Sequence, residues 1–292
     1  MDGVFNVLKP PNMTSYDVVA FLKRALQTKK LGHGGTLDPD AAGVLPVFAG
    51  SATRLLEFAV EGQKEYLVEL TLGRRTDTGD DSGAVLEELP IPKLTELVVK
   101  ACLKNFVGPQ MQVPPMYSAL KKDGQKLYQL ARQGIEVERE ARPIEIYKLE
   151  LQHMTAATLT LAVQCSKGTY IRVLVEDIAK ALGTCGTMSF LLRTQVGQYL
   201  INNAHTLQEI AENPEGCRGE LLGAVDHLSK LHLSGRQAAR ITNGVRTTIK
   251  GTAPGKYVLL GPGNEFLGLG IAADEMIKAD KILQHYAMPV EE

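Results

Sequence analysis

Residues Gly32–Pro46 read Gly-His-Gly-Gly-Thr-Leu-Asp-Pro-Asp-Ala-Ala-Gly-Val-Leu-Pro. Four glycines, two prolines, a histidine and two aspartates in so short a window exclude a regular helix or strand, so a shaped loop is expected. Glycine opens backbone angles closed to other residues, and Pro39 fixes one torsion directly after Asp38. From Ala41 onward the window turns apolar, and a short apolar element is expected to start there. On the window alone two readings of Asp38 stay open: a carboxylate held in place for chemistry, or a cap on the segment that follows.

The rest of the chain narrows the classes of protein this loop can serve. Its 292 residues, 44% of them hydrophobic, suffice for about two domains and a sizeable core. No apolar run reaches membrane-spanning length, and Met1-Asp2-Gly3 leads into a β-prone segment rather than a basic and then apolar leader. A cytoplasmic protein with no membrane association is expected. Cys102, Cys165, Cys185 and Cys217 form no C-x-x-C pair and have no histidine at ligand spacing, so neither a metal site nor a disulfide framework is indicated. P-loop, dinucleotide and H-E-x-x-H patterns are absent as well, which removes support for nucleotide hydrolysis, hydride transfer and zinc proteolysis.

A net charge of -1 argues against indiscriminate nucleic-acid binding, yet the charge is unevenly spread. Residues 226–256 carry Lys230, Arg236, Arg240, Arg246, Lys250 and Lys256 against Asp226 alone, whereas residues 201–225 set Arg218 against Glu209, Glu212, Glu215 and Glu220. Within Val113–Arg142, Lys121, Lys122, Lys126 and Arg132 interleave with Tyr117 and Tyr128, a mixture that suits an RNA backbone and unstacked bases but also an ordinary charged helical hairpin.

Periodicity supplies a coarse order of elements. Gly3–Leu8 is β-prone and stops at Lys9-Pro10-Pro11. A helix capped by Thr14 or Ser15 follows, with Val18, Phe21, Leu22 and Ala25 on its core face. Lys64–Leu72 alternates as a half-buried strand with Tyr66 near its start, and Arg74–Gly83 is a polar loop. A surface helix is expected within 91–107, strands over Ile144–Leu151 and Thr158–Cys165, a helix over Tyr170–Leu182 closed by Gly183, and a strand over Met188–Val196. Capping boxes begin helices at Thr206 and Ser234, and short strands at Tyr257–Leu260 and Phe266–Ile271 complete a β-rich tail. The change of character places a domain boundary near residue 230.

Gly32-His33-Gly34-Gly35-Thr36-Leu37-Asp38-Pro39 with Ala42-Gly43-Val44-Leu45-Pro46 closely resembles the catalytic motif of the TruB family of tRNA pseudouridine synthases. Lys9-Pro10, Lys64-Glu65-Tyr66, Arg74 to Asp80, Pro115 to Lys121 and Ser166 to Arg172 resemble that family's other blocks, in its order, so the resemblance is strong over about residues 3–200. It implies an α+β fold: a mixed, largely antiparallel central sheet of pseudouridine synthase type with flanking helices in residues 1–230. Residues 113–142 would form an RNA-gripping, thumb-like insertion, and residues 231–292 a small β-rich, PUA-like RNA-binding domain.

The resemblance also implies roles. Asp38 would be the catalytic carboxylate, paired with Arg172 at a helix N-terminus, and Tyr66 the candidate that takes the C5 proton directly or through water. Asp80, Tyr170 and Leu191 would contact the base. His33 would wedge into the space a flipped nucleotide leaves, Lys121 would contact RNA, and Lys9 would either support the loop or meet a phosphate. Converting uridine to its C-glycoside changes no oxidation state, so no cofactor is expected. The expected partner is the T-arm stem-loop of tRNA, with uridine 55 as target, bound by a stand-alone monomer that needs no protein partner and has a possible tRNA-folding chaperone role. Three rivals remain: a synthase for another RNA, a non-catalytic RNA chaperone or scaffold, and a glycoside hydrolase using Asp38 with Asp40. The last is disfavoured because two carboxylates one position apart are poorly placed to flank a bond.

Overall fold

The computed structural model describes residues 1–59 and 61–287. Its organising element is a ten-stranded sheet that runs Arg218–Gly219, Gly3–Lys9, Ala42–Ala49, Gly186–Val196, Lys64–Leu72, Thr158–Cys165, Arg142–Met154 and Gly108–Gln112, with Leu31–His33 paired to Ala42–Ala49 and Tyr199–Leu200 to Gly186–Val196. All pairings are antiparallel except one short parallel contact, Leu192 opposite Ala42 and Arg193 opposite Gly43. The fold is therefore the mixed, largely antiparallel α+β class expected.

The parallel contact joins the two halves of the sheet. Gly43 has φ +113°, and a Cβ there would stand 2.2 Å from the carbonyl oxygen of Arg193, so only glycine lets the backbones approach this closely. The start of the window expected to be a loop is in fact strand, Leu31–His33, and the apolar element expected from Ala41 is the strand Ala42–Ala49, so the irregular segment is residues 34–41. Pro46 is tolerated mid-strand: its carbonyl accepts from the Gly34 N–H at 2.8 Å, and its nitrogen, on the same edge, falls in the gap between the pairings to Gly186–Val196 and to Leu31–His33, where the missing N–H breaks no ladder bond.

Helices cover the sheet where apolar faces demand it. Ser15–Ala25 starts at a Thr14 capping box with Asp17 and packs Val18 and Leu22 against Phe5, Val7, Leu45 and Val47. On the other half, Glu96–Lys104 and Ile171–Ala181 bury Val99, Leu103, Leu174, Val175 and Ile178 against the inward side chains of Lys64–Leu72 and Thr158–Cys165. The 113–142 stretch is not a helical hairpin. It holds a tight β-hairpin, Lys121–Lys122 with Gln125–Lys126, then the short helix Leu127–Ala131. Lys126 and Arg132 each lie 5.6 Å from the Tyr128 ring centroid.

A second, five-stranded sheet starts at Ser229–His232, whose parallel pairing to Gly255–Leu260 was invisible in the alternation, and continues through Phe266–Ala273, Met276–Ile282 and Thr247–Thr248. Gly235–Thr242 packs on it behind the expected Ser234 capping box. Val258, Leu260 and Leu269 share one apolar cluster with Val4, Phe48, Leu55 and Phe58 of the first sheet's flank, and Lys256 lies 4.5 Å from the Phe58 ring centroid. Among the described residues, no helix is long and apolar enough to cross a membrane.

The Gly43 contact generates a stability prediction. Gly43→Ala should lower the free energy of unfolding by roughly 2–4 kcal/mol, through backbone strain and the displaced Arg193 carbonyl. Urea denaturation should show an earlier midpoint with an unchanged slope; an unaltered midpoint would show that the strands part without cost.

Candidate active site

Residues 34–41 are held from beneath by two buried cations. Lys9, at the end of the first strand, has no exposed surface, and its ammonium donates to the carbonyls of Pro10 (2.9 Å), Pro39 (2.9 Å) and Ala41 (2.5 Å). An ammonium has three donors, and all three are taken, so Lys9 supports the loop and has none left for a phosphate. Burial pushes its pKa down to about 8, against the pull of Asp40 and Asp38. Arg193, equally buried, donates to Val44 (2.8 Å), Gly35 (3.0 Å) and Thr36 (3.4 Å). The Ser15 hydroxyl completes the cradle, accepting from Leu37 N–H at 2.9 Å.

This cradle presents Asp38 to Arg172. The guanidinium Nε lies 3.0 Å from Asp38 Oδ2, and one terminal nitrogen donates to Oδ1 at 3.4 Å. Arg172 stands in the first turn of Ile171–Ala181, whose N-cap is Tyr170, and is almost wholly buried. Its remaining donors go to the carbonyls of Thr78 and Tyr117, each at 2.7 Å, and its terminal nitrogen lies 3.7 Å from Asp80. One side chain thus ties together the Asp38 loop, the 77–83 turn and the base of the 113–142 stretch. Burial raises the Asp38 pKa above its ordinary value; Arg172 and Lys9 oppose the shift, while Asp80 and Asp40 add to it.

Beside the pair opens a cavity of about 300 Å³, lined by Thr36, Leu37, Asp38, Lys64, Tyr66, the 117–120 segment, the 168–172 turn and Leu191. Asp38, Tyr66, Tyr170, Arg172 and Leu191 therefore converge on one space although they lie on four different segments. Tyr66 and Leu191 are both almost fully buried, on adjacent strands where Tyr66 faces Arg193. Burial pushes the Tyr66 pKa up to about 12, so at neutral pH it is a neutral phenol, able to donate as well as accept but not a standing base. Asp80 stands behind Arg172, its Oδ1 accepting from Thr78 (2.7 Å) and Ser82 (2.5 Å) hydroxyls.

Lys9 and Asp80 lie outside the lining of this cavity, and so do two further candidates. His33 ends the Leu31–His33 strand half-buried, its Nδ1 without a hydrogen-bond partner among the described residues; burial and then Arg193 lower its pKa. Lys121 is exposed in the tight hairpin, one residue past the cavity-lining Leu120. Sequence reasoning assigned no role to Arg193 or Lys64. Lys64 had a signal, being a cation in phase with Tyr66, Val68 and Leu70 on an otherwise apolar strand face; Arg193 had none, since of its phase-mates Thr187, Ser189, Leu191 and Gln195 only Leu191 is apolar.

The TruB family pseudouridylate synthase N-terminal domain matches residues 23–171, and the tRNA pseudouridylate synthase B C-terminal domain matches residues 172–231. A protein named tRNA pseudouridine synthase B from Alkaliphilus oremlandii is 42% identical over 284 residues, covering 94% of each chain. One of the same name from Caldanaerobacter subterraneus subsp. tengcongensis is 43% identical over 288 residues, covering 97% of this chain and 99% of its own. Among solved structures, a Cbf5-Nop10-Gar1 complex aligns with a TM-score of 0.72 at 27% identity, over 92% of this chain and 78% of that one. An H/ACA RNP bound to a substrate RNA containing 2'-deoxyuridine aligns with a TM-score of 0.74 at 24% identity, over 97% and 85%. With the family's domains matched end to end across the region that builds the Asp38–Arg172 cavity, the chain belongs to the TruB family of pseudouridylate synthases, which are isomerases.

Proposed function

We propose that this protein isomerises uridine 55 in the T-arm loop of tRNA to pseudouridine, with Asp38 as its catalytic carboxylate. The observation that carries the reading is the Asp38–Arg172 pair, at 3.0 Å, in the wall of a cavity closed by Tyr66 and Leu191. The tRNA pseudouridine synthase B relatives, similar over nearly their whole length, support tRNA as the substrate.

The chemistry asks for few groups. The N1–C1′ bond breaks, the detached uracil turns, C5 bonds to C1′, the C5 proton departs and the freed N1 takes up a proton, so the product has the composition of uridine. Asp38 acts either by attacking C1′ or by taking a proton from the sugar, and both routes use its ionised form, which Arg172 favours. Uracil must stay within reach while unattached, and a cavity walled by Tyr66, Leu191 and Tyr170 retains it. Tyr66, as a neutral phenol, relays the C5 proton to water by giving up its own as it receives one, rather than taking it up as a phenolate would. Asp80 meets the base edge, and Arg172 keeps Asp80 and Asp38 at a fixed spacing. His33 enters the stack vacated by the flipped uridine, and Lys121 contacts the RNA backbone from the hairpin. The 231–292 region serves as a PUA-like RNA-binding domain and the 113–142 stretch as the thumb. The enzyme works in the cytoplasm as a stand-alone monomer.

Two measurements test this. Unmodified tRNA transcript incubated with the purified protein should acquire pseudouridine at the T-loop uridine, and Asp38→Ala should lower the rate at least about a thousandfold while tRNA affinity changes little. Product elsewhere in the tRNA would overturn the choice of target, and full activity of the variant would remove Asp38 from the chemistry. The second concerns pH. Because the Asp38 pKa is raised, the rate should fall on acidification at a pH above the ordinary aspartate value, as the carboxylate protonates. Asp80→Asn removes a negative neighbour that raises it, so the acid limb of kcat/KM should move to lower pH even though overall activity drops; a limb that stays in place would show that another group titrates.

A further inference from the structure

Four basic side chains surround residues 34–41, and three are fully engaged. Lys9 is spent on three carbonyls, Arg193 on three more, and Arg172 on Asp38, Thr78 and Tyr117. Lys64 is different. It lines the cavity, in phase with Tyr66, and its ammonium lies against the backbone of Gly35: a Cβ on that glycine, which has φ +97°, would stand 3.4 Å from Nζ. Among the described residues this ammonium has no ion pair and no hydrogen-bonded acceptor, and the charged and titratable groups that face it are Arg193, Cys165 and Lys167. No carboxylate is among them.

A half-buried cation beside two further cations is costly unless an anion arrives from outside. Burial pushes Lys64 down to about 8, and the Cys165 thiol, pushed up to about 11, offers no compensating charge at neutral pH. The only anionic group that an RNA substrate brings along its whole length is the phosphodiester; uracil in the strand is neutral. The lining that carries Lys64 also carries Gly168 (φ +86°), and the preceding residue along the chain, Lys167, lies in a groove with Tyr147 and Glu61, where it stands 3.9 Å from the Glu61 carboxylate.

We propose that Lys64 is a phosphate-binding residue, which grips a phosphodiester flanking the target uridine between the Gly35 and Gly168 turns and so fixes the strand as the nucleotide enters the cavity. The inference rests on the reading of the chain as an RNA uridine isomerase. It assigns Gly35 the task of leaving room for the ammonium and its phosphate.

The test uses the full-length protein with T-arm stem-loop RNAs that carry a single uncharged methylphosphonate on the 5′ or the 3′ side of the target uridine, with binding and conversion read in parallel. Lys64→Gln should weaken RNA binding on the order of ten-fold and reduce the slope of log Kd against log salt by about one. Wild type should lose a similar factor with the methylphosphonate on one side, and Lys64→Gln should lose nothing further from that same replacement. Lys64→Arg should keep the salt slope, and between pH 7 and pH 9 its affinity should weaken less than that of wild type, since its charge persists. This comparison stands even if the glutamine variant fails to fold. An unchanged salt slope, penalties that simply add on both sides, or identical pH profiles for wild type and Lys64→Arg would overturn the assignment. Absence of conversion by wild type would defeat uridine isomerisation instead, because the Lys64 effect is read from binding alone.

Discussion

The shape of residues 34–41 depends on carbonyl oxygens solvating two buried cations. Among the described residues, Lys9 and Arg193 have no carboxylate partner within bonding distance, and their desolvation is offset by six backbone carbonyls, five of them from residues 35–44. This arrangement works in both directions. The cations are tolerable only because a glycine- and proline-rich segment can turn its carbonyls inward, and the segment is rigid only because those carbonyls are bonded. A regular helix or strand would have used the same oxygens in its own ladder. The irregular backbone is thus a requirement of the cradle, and the cradle fixes where Asp38 points.

Arg172 converts that fixed loop into a site. Its guanidinium bridges Asp38 and Asp80 while its other donors bond the carbonyls of Thr78 and Tyr117. Two carboxylates would otherwise repel in a poorly solvated space, and the raised pKa of Asp38 records that residual cost after burial. Because Tyr117 belongs to the base of the 113–142 stretch, any shift of that stretch is coupled to the guanidinium that sets the Asp38 charge. A cavity of about 550 Å³ lies beneath the stretch on the far side of Arg172, lined by Arg75, Arg139 and Glu176 among others, so there is room for such movement.

The C-terminal sheet is joined to the catalytic sheet by packing as well as by chain. Phe48, Leu55 and Phe58 bury against Val258, Leu260 and Leu269, so the two regions stabilise one another. One of the basic side chains of residues 226–256 belongs to this face: Lys256 lies 4.5 Å from the Phe58 ring centroid.

Local pattern determined much of this protein. Strict alternation in Lys64–Leu72, capping boxes at Thr14, Thr206 and Ser234, and the Gly183 stop all appear where short-range physics puts them, because each is decided by neighbours within a few residues. The motif blocks likewise pointed to Asp38, Tyr66 and Arg172 as one set. What the chain could not reveal by itself were contacts between distant segments. The parallel meeting of Gly43 with Arg193, the strand at Ser229–His232, the strand hidden at the start of the glycine-rich window and the confinement of Lys9 to loop carbonyls all depend on a partner far along the chain. A charged residue inside a strand, as Arg193 and Lys64 are, is ambiguous in sequence: it can break the strand, reach solvent or find a buried acceptor. Only the tertiary structure decides, because only there do the acceptors exist, three carbonyls for Arg193 and none from the described residues for Lys64.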